Sequence, residues 1–158
     1  HKNLSTLNSF TADMNRRGLE SHSRIVLREE GKASPKEALI LNLNEEDYVH
    51  RLNRVRFLVK EPLLYEIAII PASIISITTA LDDSLYETLK RKNMNPITAK
   101  QNIHAINADE DIADKLEISP GSAVLFVERR GKDVNGKVVE YTQSYYRGDR
   151  YDYVVELG

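Results

Sequence analysis

The 158-residue sequence predicts a single α+β domain, residues 1–158, with a mainly antiparallel sheet that helices cover on one face. Segments 47–59 and 63–70 are rich in Val, Leu, Ile, Tyr and Phe around Lys60-Glu61-Pro62, which is typical of an antiparallel hairpin, and segments 124–131 and 137–147 flank a second turn. The second hairpin contains Asn135-Gly136, a strong turn signal. Each hairpin follows a segment with helix-capping residues, so the order helix, strand, turn, strand occurs twice.

The first elements follow from capping residues and apolar spacing. A short helix is expected over 9–17 and ends at Gly18. Apolar residues between charges predict a strand at 23–30. The segment 34–41 begins Ser-Pro-Lys-Glu, which combines a capping box with proline at the first helical position, and is predicted to be helical.

The first hairpin pairs strands 47–59 and 63–70. A three-residue loop at 60–62 would place Glu66 directly opposite Arg56. A loop shorter by one residue would turn Glu66 to the other face of the sheet.

The second half of the chain repeats this arrangement. Its predicted elements are a helix starting at 82–89 and stopping at Asn93, a strand at 99–106, a helix over 107–116, hairpin strands at 124–131 and 137–147, and a last strand at 153–157. The sequence Leu-Leu-Tyr-Glu at 63–66 in the first half corresponds to Val-Val-Glu-Tyr at 138–141 in the second. We therefore predict an internal duplication of helix-hairpin units.

Composition excludes several classes of protein. Hydrophobic residues make up 41% of the chain and charged residues 29%, which is typical of a globular domain, and no apolar run is long enough to span a membrane. A net charge of -2, with scattered basic residues, argues against direct binding of nucleic acid. The absence of cysteine fits a cytoplasmic protein, and we expect no membrane partner.

Arg54 and Arg56 are two residues apart on a predicted strand, so both guanidinium groups leave the same face of the sheet. Their planar forks match the oxygens of phosphate or carboxylate. The pair is either an anion-binding site or part of an exposed strand face, and spacing alone favours neither. Glu66 could neutralise an arginine or accept a ligand hydroxyl.

Hydroxyl residues at two predicted helix starts are further candidates. Ser84 and Tyr86 begin one helix, and Ser9 and Thr11 begin another. Free N–H groups at a helix start favour an anion, but hydroxyl residues there are more often simple caps.

Alternate residues of the last hairpin strand share one face. They are Glu140, Thr142, Ser144 and Tyr146. This row could line a pocket, with a carboxylate for sugar hydroxyls and an aromatic ring to cover a sugar, or form a solvated face.

The sequence shows no catalytic or metal-binding arrangement. Its four histidines lack ligand spacing and there is no cysteine to support them. Nucleophile-elbow, phosphate-loop and dinucleotide fingerprints are also missing. We therefore expect no catalytic residue, no metal, no cofactor and no enzymatic activity.

Five motifs in order resemble the UTRA domain, the effector-binding domain of HutC-type regulators in the GntR family. They are Ser-Phe-Thr-Ala-Asp-Met-Asn-Arg-Arg-Gly at 9–18, Arg-Val-Arg-Phe at 54–57, Leu-Leu-Tyr-Glu at 63–66, Ser-Leu-Tyr at 84–86, and Tyr-Tyr-Arg-Gly-Asp-Arg-Tyr at 145–151. The resemblance runs from about residue 6 to the end of the chain.

The resemblance implies a chorismate-lyase-like fold, a homodimer, and a winged helix-turn-helix domain before residue 1 that binds operator DNA. Among such regulators the chain is most similar to those of amino-sugar use, which sense glucosamine 6-phosphate or its N-acetyl form. It implies phosphate contacts from Ser9, Thr11, Arg54, Ser84 and Tyr86, with Arg56 beside them. It places Glu66, Glu140 and Tyr146 against the sugar, and Ser144 shares their face.

Alternative functions remain at the level of sequence. The same fold could carry a lyase-like enzyme acting on an aromatic or sugar acid through Arg54 and Glu140. It could sense another small organic anion, or serve only for dimerisation.

Overall fold

The computed structural model describes residues 18, 21–82, 84–153 and 157–158. The predicted helix at 9–17 lies outside the described residues, as does most of the predicted last strand, and Tyr153 is not in a strand. The elements are β1 (Ser21–Lys32), α1 (Pro35–Leu41), β2 (Tyr48–Leu58), β3 (Glu61–Pro71), α2 (Leu85–Arg91), β4 (Thr98–Asn107), α3 (Glu110–Leu116), β5 (Ala123–Lys132) and β6 (Val138–Arg147). The predicted elements from β1 to β6 are therefore present, with boundaries shifted by a few residues.

The strands of the described residues form one six-stranded sheet in the order β1-β2-β3-β6-β5-β4. Every neighbouring pair is antiparallel. The first three strands with α1 and the last three with α3 form two β-α-β-β halves, which meet where β3 pairs with β6. This order is what the predicted duplication requires.

Side-chain caps fix where the short helices begin. The Ser34 hydroxyl accepts a hydrogen bond from the Glu37 N–H at 3.1 Å, and the Glu37 carboxylate accepts one from the Ser34 N–H at 2.8 Å. This is the predicted capping box of α1. At α3 the Asp109 carboxylate accepts from the Ile112 N–H at 2.8 Å.

The helices lie on both faces of the sheet, so the prediction that they cover one face is wrong. α1 and α3 pack on one face through two apolar clusters. α2 and the segment 72–82 before it cover the other face, where Leu85 and Leu89 pack against Leu52 and Ile70. The central strand β3 is consequently buried on both sides, and the order of hairpins and helices from which a one-sided sheet was inferred does not indicate this.

The turn between β2 and β3 is shorter than predicted, because only Val59 and Lys60 connect the strands. A β-bulge follows at Leu63, where the pairing shifts by one residue. Glu66 is therefore opposite Arg54 and not, as predicted, opposite Arg56. The bulge compensates the shorter turn and returns Glu66 to the face that carries both arginines.

Candidate anion-binding site

Arg54 and Arg56 are buried on the face of β2 that α2 covers, with 4% and 3% of their surface exposed. The alternative of an exposed strand face is therefore wrong. Arg54 Nη2 lies 2.6 Å from Glu66 Oε1, and Arg56 Nη1 lies 3.7 Å from the same oxygen. Two guanidinium groups thus converge on one carboxylate in a site with little water.

The ionisation of Glu66 depends on these arginines. Burial raises the cost of its charge, but the cations of Arg54 and Arg56 outweigh that cost and hold the pKa of Glu66 below its usual range. The carboxylate is therefore charged at neutral pH.

A second polar group surrounds the buried carboxylate of Glu140. The Tyr86 hydroxyl donates to Glu140 Oε1 at 2.7 Å, and the Thr142 hydroxyl donates to Oε2. Arg129 Nη1 donates to the Tyr86 oxygen at 2.5 Å, and Arg129 Nε donates to Gln101 Oε1 at 3.1 Å. Burial raises the pKa of Glu140, and the Arg129 cation opposes that shift.

Ser84 and Tyr86 lie where the chain enters α2. Ser84 occupies the N-cap position, yet its side chain makes no capping hydrogen bond. Its hydroxyl is buried and has no hydrogen-bond partner within the part of the chain that the structure describes. A simple capping role therefore does not account for Ser84, and Tyr86 extends across to Glu140.

The row on β6 faces the same interior. Glu140, Thr142 and Ser144 are buried, and Ser144 is the cross-strand partner of Glu66. The Tyr146 ring stacks on Tyr151 with centroids 4.3 Å apart, and burial raises the pKa of its hydroxyl. A solvated face is therefore excluded for this row, and the predicted β2 and β6 residues share one side of the sheet.

Arg129 and Gln101 were missed at the level of sequence. A signal for Arg129 existed, because β5 is the second half's counterpart of β2, the strand that carries Arg54 and Arg56.

Gly131 was missed as well. A Cβ at this position would lie 2.8 Å from Glu140 Oε1 and 2.8 Å from the Pro96 side chain. Only glycine leaves room for the Glu140 carboxylate.

Further observations concern the remaining predicted phosphate contacts, metal binding and membrane spans. Ser9 and Thr11, the other predicted phosphate contacts, lie outside them. Within them, no cluster of three or more histidine, aspartate or glutamate side chains is arranged to hold a metal ion. Nor is any described helix long and apolar enough to cross a membrane.

Comparison with known proteins gives a consistent result. The family described as "UTRA domain" matches residues 16–152. The chain is 32% identical over 154 residues to the HTH-type transcriptional repressor NagR of Bacillus subtilis, covering 96% of this chain but only 63% of NagR. It is 25% identical over 152 residues to the mannosyl-D-glycerate transport/metabolism system repressor MngR of Escherichia coli, covering 94% of this chain and 63% of MngR.

Solved structures agree with this match. A GntR-family transcriptional regulator from Enterococcus faecalis superposes with a TM-score of 0.79 at 35% identity, covering 85% of this chain and 99% of that one. The effector domain of PhnF from Mycobacterium smegmatis superposes with a TM-score of 0.89 at 21% identity, covering 95% and 94%, which supports the fold. The chorismate-lyase-like α+β class is confirmed. Since the family match spans most of the sequence, the chain belongs to the UTRA domain family of GntR-type regulators.

Proposed function

We propose that this domain senses a small phosphorylated metabolite and thereby controls the binding of operator DNA by a separate N-terminal domain. The matched relatives are transcriptional regulators, which favours sensing over catalysis. This chain spans about 63% of the length of NagR, so the winged helix-turn-helix domain, the homodimer and the cytoplasmic location are part of the proposal.

The observation that carries the proposal is the convergence of Arg54 and Arg56 inside the fold. Two like charges on one buried strand face repel each other, and such an arrangement costs stability unless anions lie between them. Glu66 is one such anion. A phosphate group matches the guanidinium forks in geometry and charge, and it would find the unpartnered Ser84 hydroxyl on the same side of the sheet.

The rest of the site suits a hydroxylated ring. Glu140, Thr142 and Ser144 supply hydrogen-bonding groups, and the stacked Tyr146 supplies an apolar surface. Together with the resemblance to regulators of amino-sugar use, this combination favours a hexosamine phosphate, either glucosamine 6-phosphate or N-acetylglucosamine 6-phosphate.

Control of DNA binding requires that the effector bind two states of the protein differently. α2 and the segment 72–82 form the wall of the site opposite the sheet. A ligand that bridges β2, β6 and α2 would select the state in which this wall is closed. The population shift would then reach the attached DNA-binding domain.

Calorimetric titration of this chain with hexosamine phosphates tests the proposal. We expect saturable binding, and Arg54→Met should weaken it by about thirtyfold or more, because a buried partner of the phosphate is lost. The exposed Arg24 on β1 supplies the control, since Arg24→Met should leave affinity unchanged. Absence of binding by every sugar phosphate tested would exclude this ligand class.

A further inference from the structure

Arg129 provides a third positive charge, on β5, which lies across β3 and β6 from the strand that carries Arg54 and Arg56. Glu140 is four residues from Ser144 along β6, and Ser144 is the partner of Glu66. At the usual rise of a strand the Cα atoms of Glu140 and Ser144 are about 13 Å apart. The site therefore extends from Glu66 with its two arginines to Glu140 with Arg129, and the charge of Arg129 also acts on Glu66.

The contacts of Arg129 fix its position. Its guanidinium group donates to the Tyr86 hydroxyl through Nη1 and to Gln101 through Nε, and it lies 5.7 Å from the centre of the Tyr86 ring. Gln101 is itself held, because its amide donates to the Tyr153 hydroxyl at 2.8 Å. The cation is thus anchored in the fold beside Glu140.

The Tyr86 hydroxyl connects Arg129 to Glu140. It accepts from Arg129 and donates to Glu140 Oε1, so the positive and negative groups are joined through one oxygen atom. Thr142 donates to the other carboxylate oxygen. Glu140 therefore accepts a hydrogen bond on each oxygen, as an ionised carboxylate does, and Arg129 balances its charge.

We propose that Arg129 is a specificity-determining residue, which makes this end of the site select an uncharged hydroxyl or amide of the effector over an ammonium group. An ammonium group beside Glu140 would also lie close to the Arg129 cation, and the repulsion would offset its attraction to the carboxylate. A hydroxyl or acetamide makes hydrogen bonds there without this repulsion. The inference rests on the proposed function and assigns its effector a neutral end.

A set of three ligands tests this inference. Glucose 6-phosphate, N-acetylglucosamine 6-phosphate and glucosamine 6-phosphate share one phosphate and one ring, and they differ at carbon 2 by a hydroxyl, an acetamide and an ammonium group. Titration calorimetry should show that the native chain binds the ammonium form about tenfold or more weakly than the better neutral form. In Arg129→Met this preference should disappear or reverse, because Glu140 then lacks its counter-charge.

Two variants separate charge from structure. Arg129→Lys keeps the cation and should retain the preference for the neutral ligands. Arg130→Met, at the exposed neighbouring position that points to the opposite face of β5, should behave as the native chain. A far-ultraviolet circular dichroism spectrum and a melting curve of each variant check folding.

The outcomes are distinguishable. If none of the three ligands binds the native chain, both the proposed function and this inference fail. If they bind but the native chain does not disfavour the ammonium form, or if Arg129→Met keeps the native preference, the proposed function stands and the role of Arg129 is wrong. If Arg129→Met does not fold, the test rests on the ligand preference of the native chain and of Arg129→Lys. Loss of the preference for the neutral ligands in a folded Arg129→Lys variant would overturn the inference.

Discussion

His50 is a fully buried titratable residue on β2, on the face of the strand that carries Arg54 and Arg56. Its Nε2 accepts a hydrogen bond from Arg28 Nε at 2.8 Å, which requires the neutral ring. Burial, reinforced by the charge of Arg28, lowers the pKa of His50 to about 4. His50 therefore binds a proton near pH 6.5 in the unfolded chain, but only near pH 4 in the folded chain.

This difference predicts a loss of stability in mild acid. The contribution of neutral His50 is complete above about pH 6.5, and it declines as the pH falls toward 4, by up to about 3 kcal/mol. Urea unfolding at a series of pH values measures it. His50→Gln should flatten the profile in this window, whereas His104→Gln, at an exposed position on β4, should not. Equal slopes for the native chain and His50→Gln would contradict the assignment.

Gly131 controls the position of Glu140. In Gly131→Ala the new methyl group would overlap Glu140 Oε1 and the Pro96 side chain, each 2.8 Å away, so the carboxylate must move away from Tyr86 and Thr142. We expect stability to fall by about 1 to 3 kcal/mol and hexosamine phosphate binding to weaken. Gly121→Ala is not a matched control because Gly121 has a φ of +88°. Ala99→Gly, on exposed β4, is preferable and should leave binding intact.

At the scale of elements, Arg28 holds the segment 72–82 to the edge of the sheet. From β1 it donates to the carbonyl oxygens of Ser76 at 3.1 Å and Thr79 at 2.6 Å. The Glu30 carboxylate adds a bond from the Ile77 N–H at 3.1 Å. The same segment precedes Ser84 and α2 in the chain, so its attachment to β1 supports the wall of the proposed anion-binding site.

Arg28→Ala should release this segment. Loss of charge-assisted hydrogen bonds to two carbonyl groups should cost about 1 to 3 kcal/mol. Amide hydrogen exchange should accelerate over residues 74–80 and remain slow in β3 and β6. The exposed Arg24 on the same strand is the matched control, since Arg24→Ala should alter neither quantity. Uniform acceleration across the sheet would show instead that Arg28 supports the whole fold.

Local signals explain which elements the sequence could predict. The capping box of α1, the strand-forming composition of β2 and the alternation in β6 depend on neighbouring residues, and all of them were predicted. The same period of two placed Arg54 with Arg56, and it aligned the row on β6. The turn at Val59 was misjudged, because its left-handed φ of 58° and the bulge after it leave no clear mark in the sequence.

Relations between distant elements explain what was missed. The contact of Arg129 with Tyr86 depends on α2 crossing the face opposite α1 and α3. Nothing in the spacing of β5 indicates that crossing, so the signal for Arg129 was limited to the correspondence of β5 with β2. The prediction that helices cover only one face failed for the same reason, since no local pattern indicates that α2 packs on the face of the sheet opposite α1 and α3.

At the scale of the whole molecule, the two β-α-β-β halves are interlocked. α3, from the second half, packs against Val55 and Tyr65 of the first half. α1, from the first half, packs in turn against Tyr141 of the second. Each half therefore buries its helix partly on strands of the other, and neither half has a complete core alone.

Because each half completes the core of the other, we predict that the domain unfolds in a single step. The chain contains no tryptophan, so Phe57→Trp on β2 and Phe126→Trp on β5 report separately on the two halves. Denaturation curves from the two probes should coincide. Leu116→Ala, which empties a fully buried position on α3, should lower stability by about 2 to 5 kcal/mol and shift both curves together. Leu39→Ala, on the exposed side of α1, should shift neither, and separate midpoints for the two probes would show that the halves fold independently.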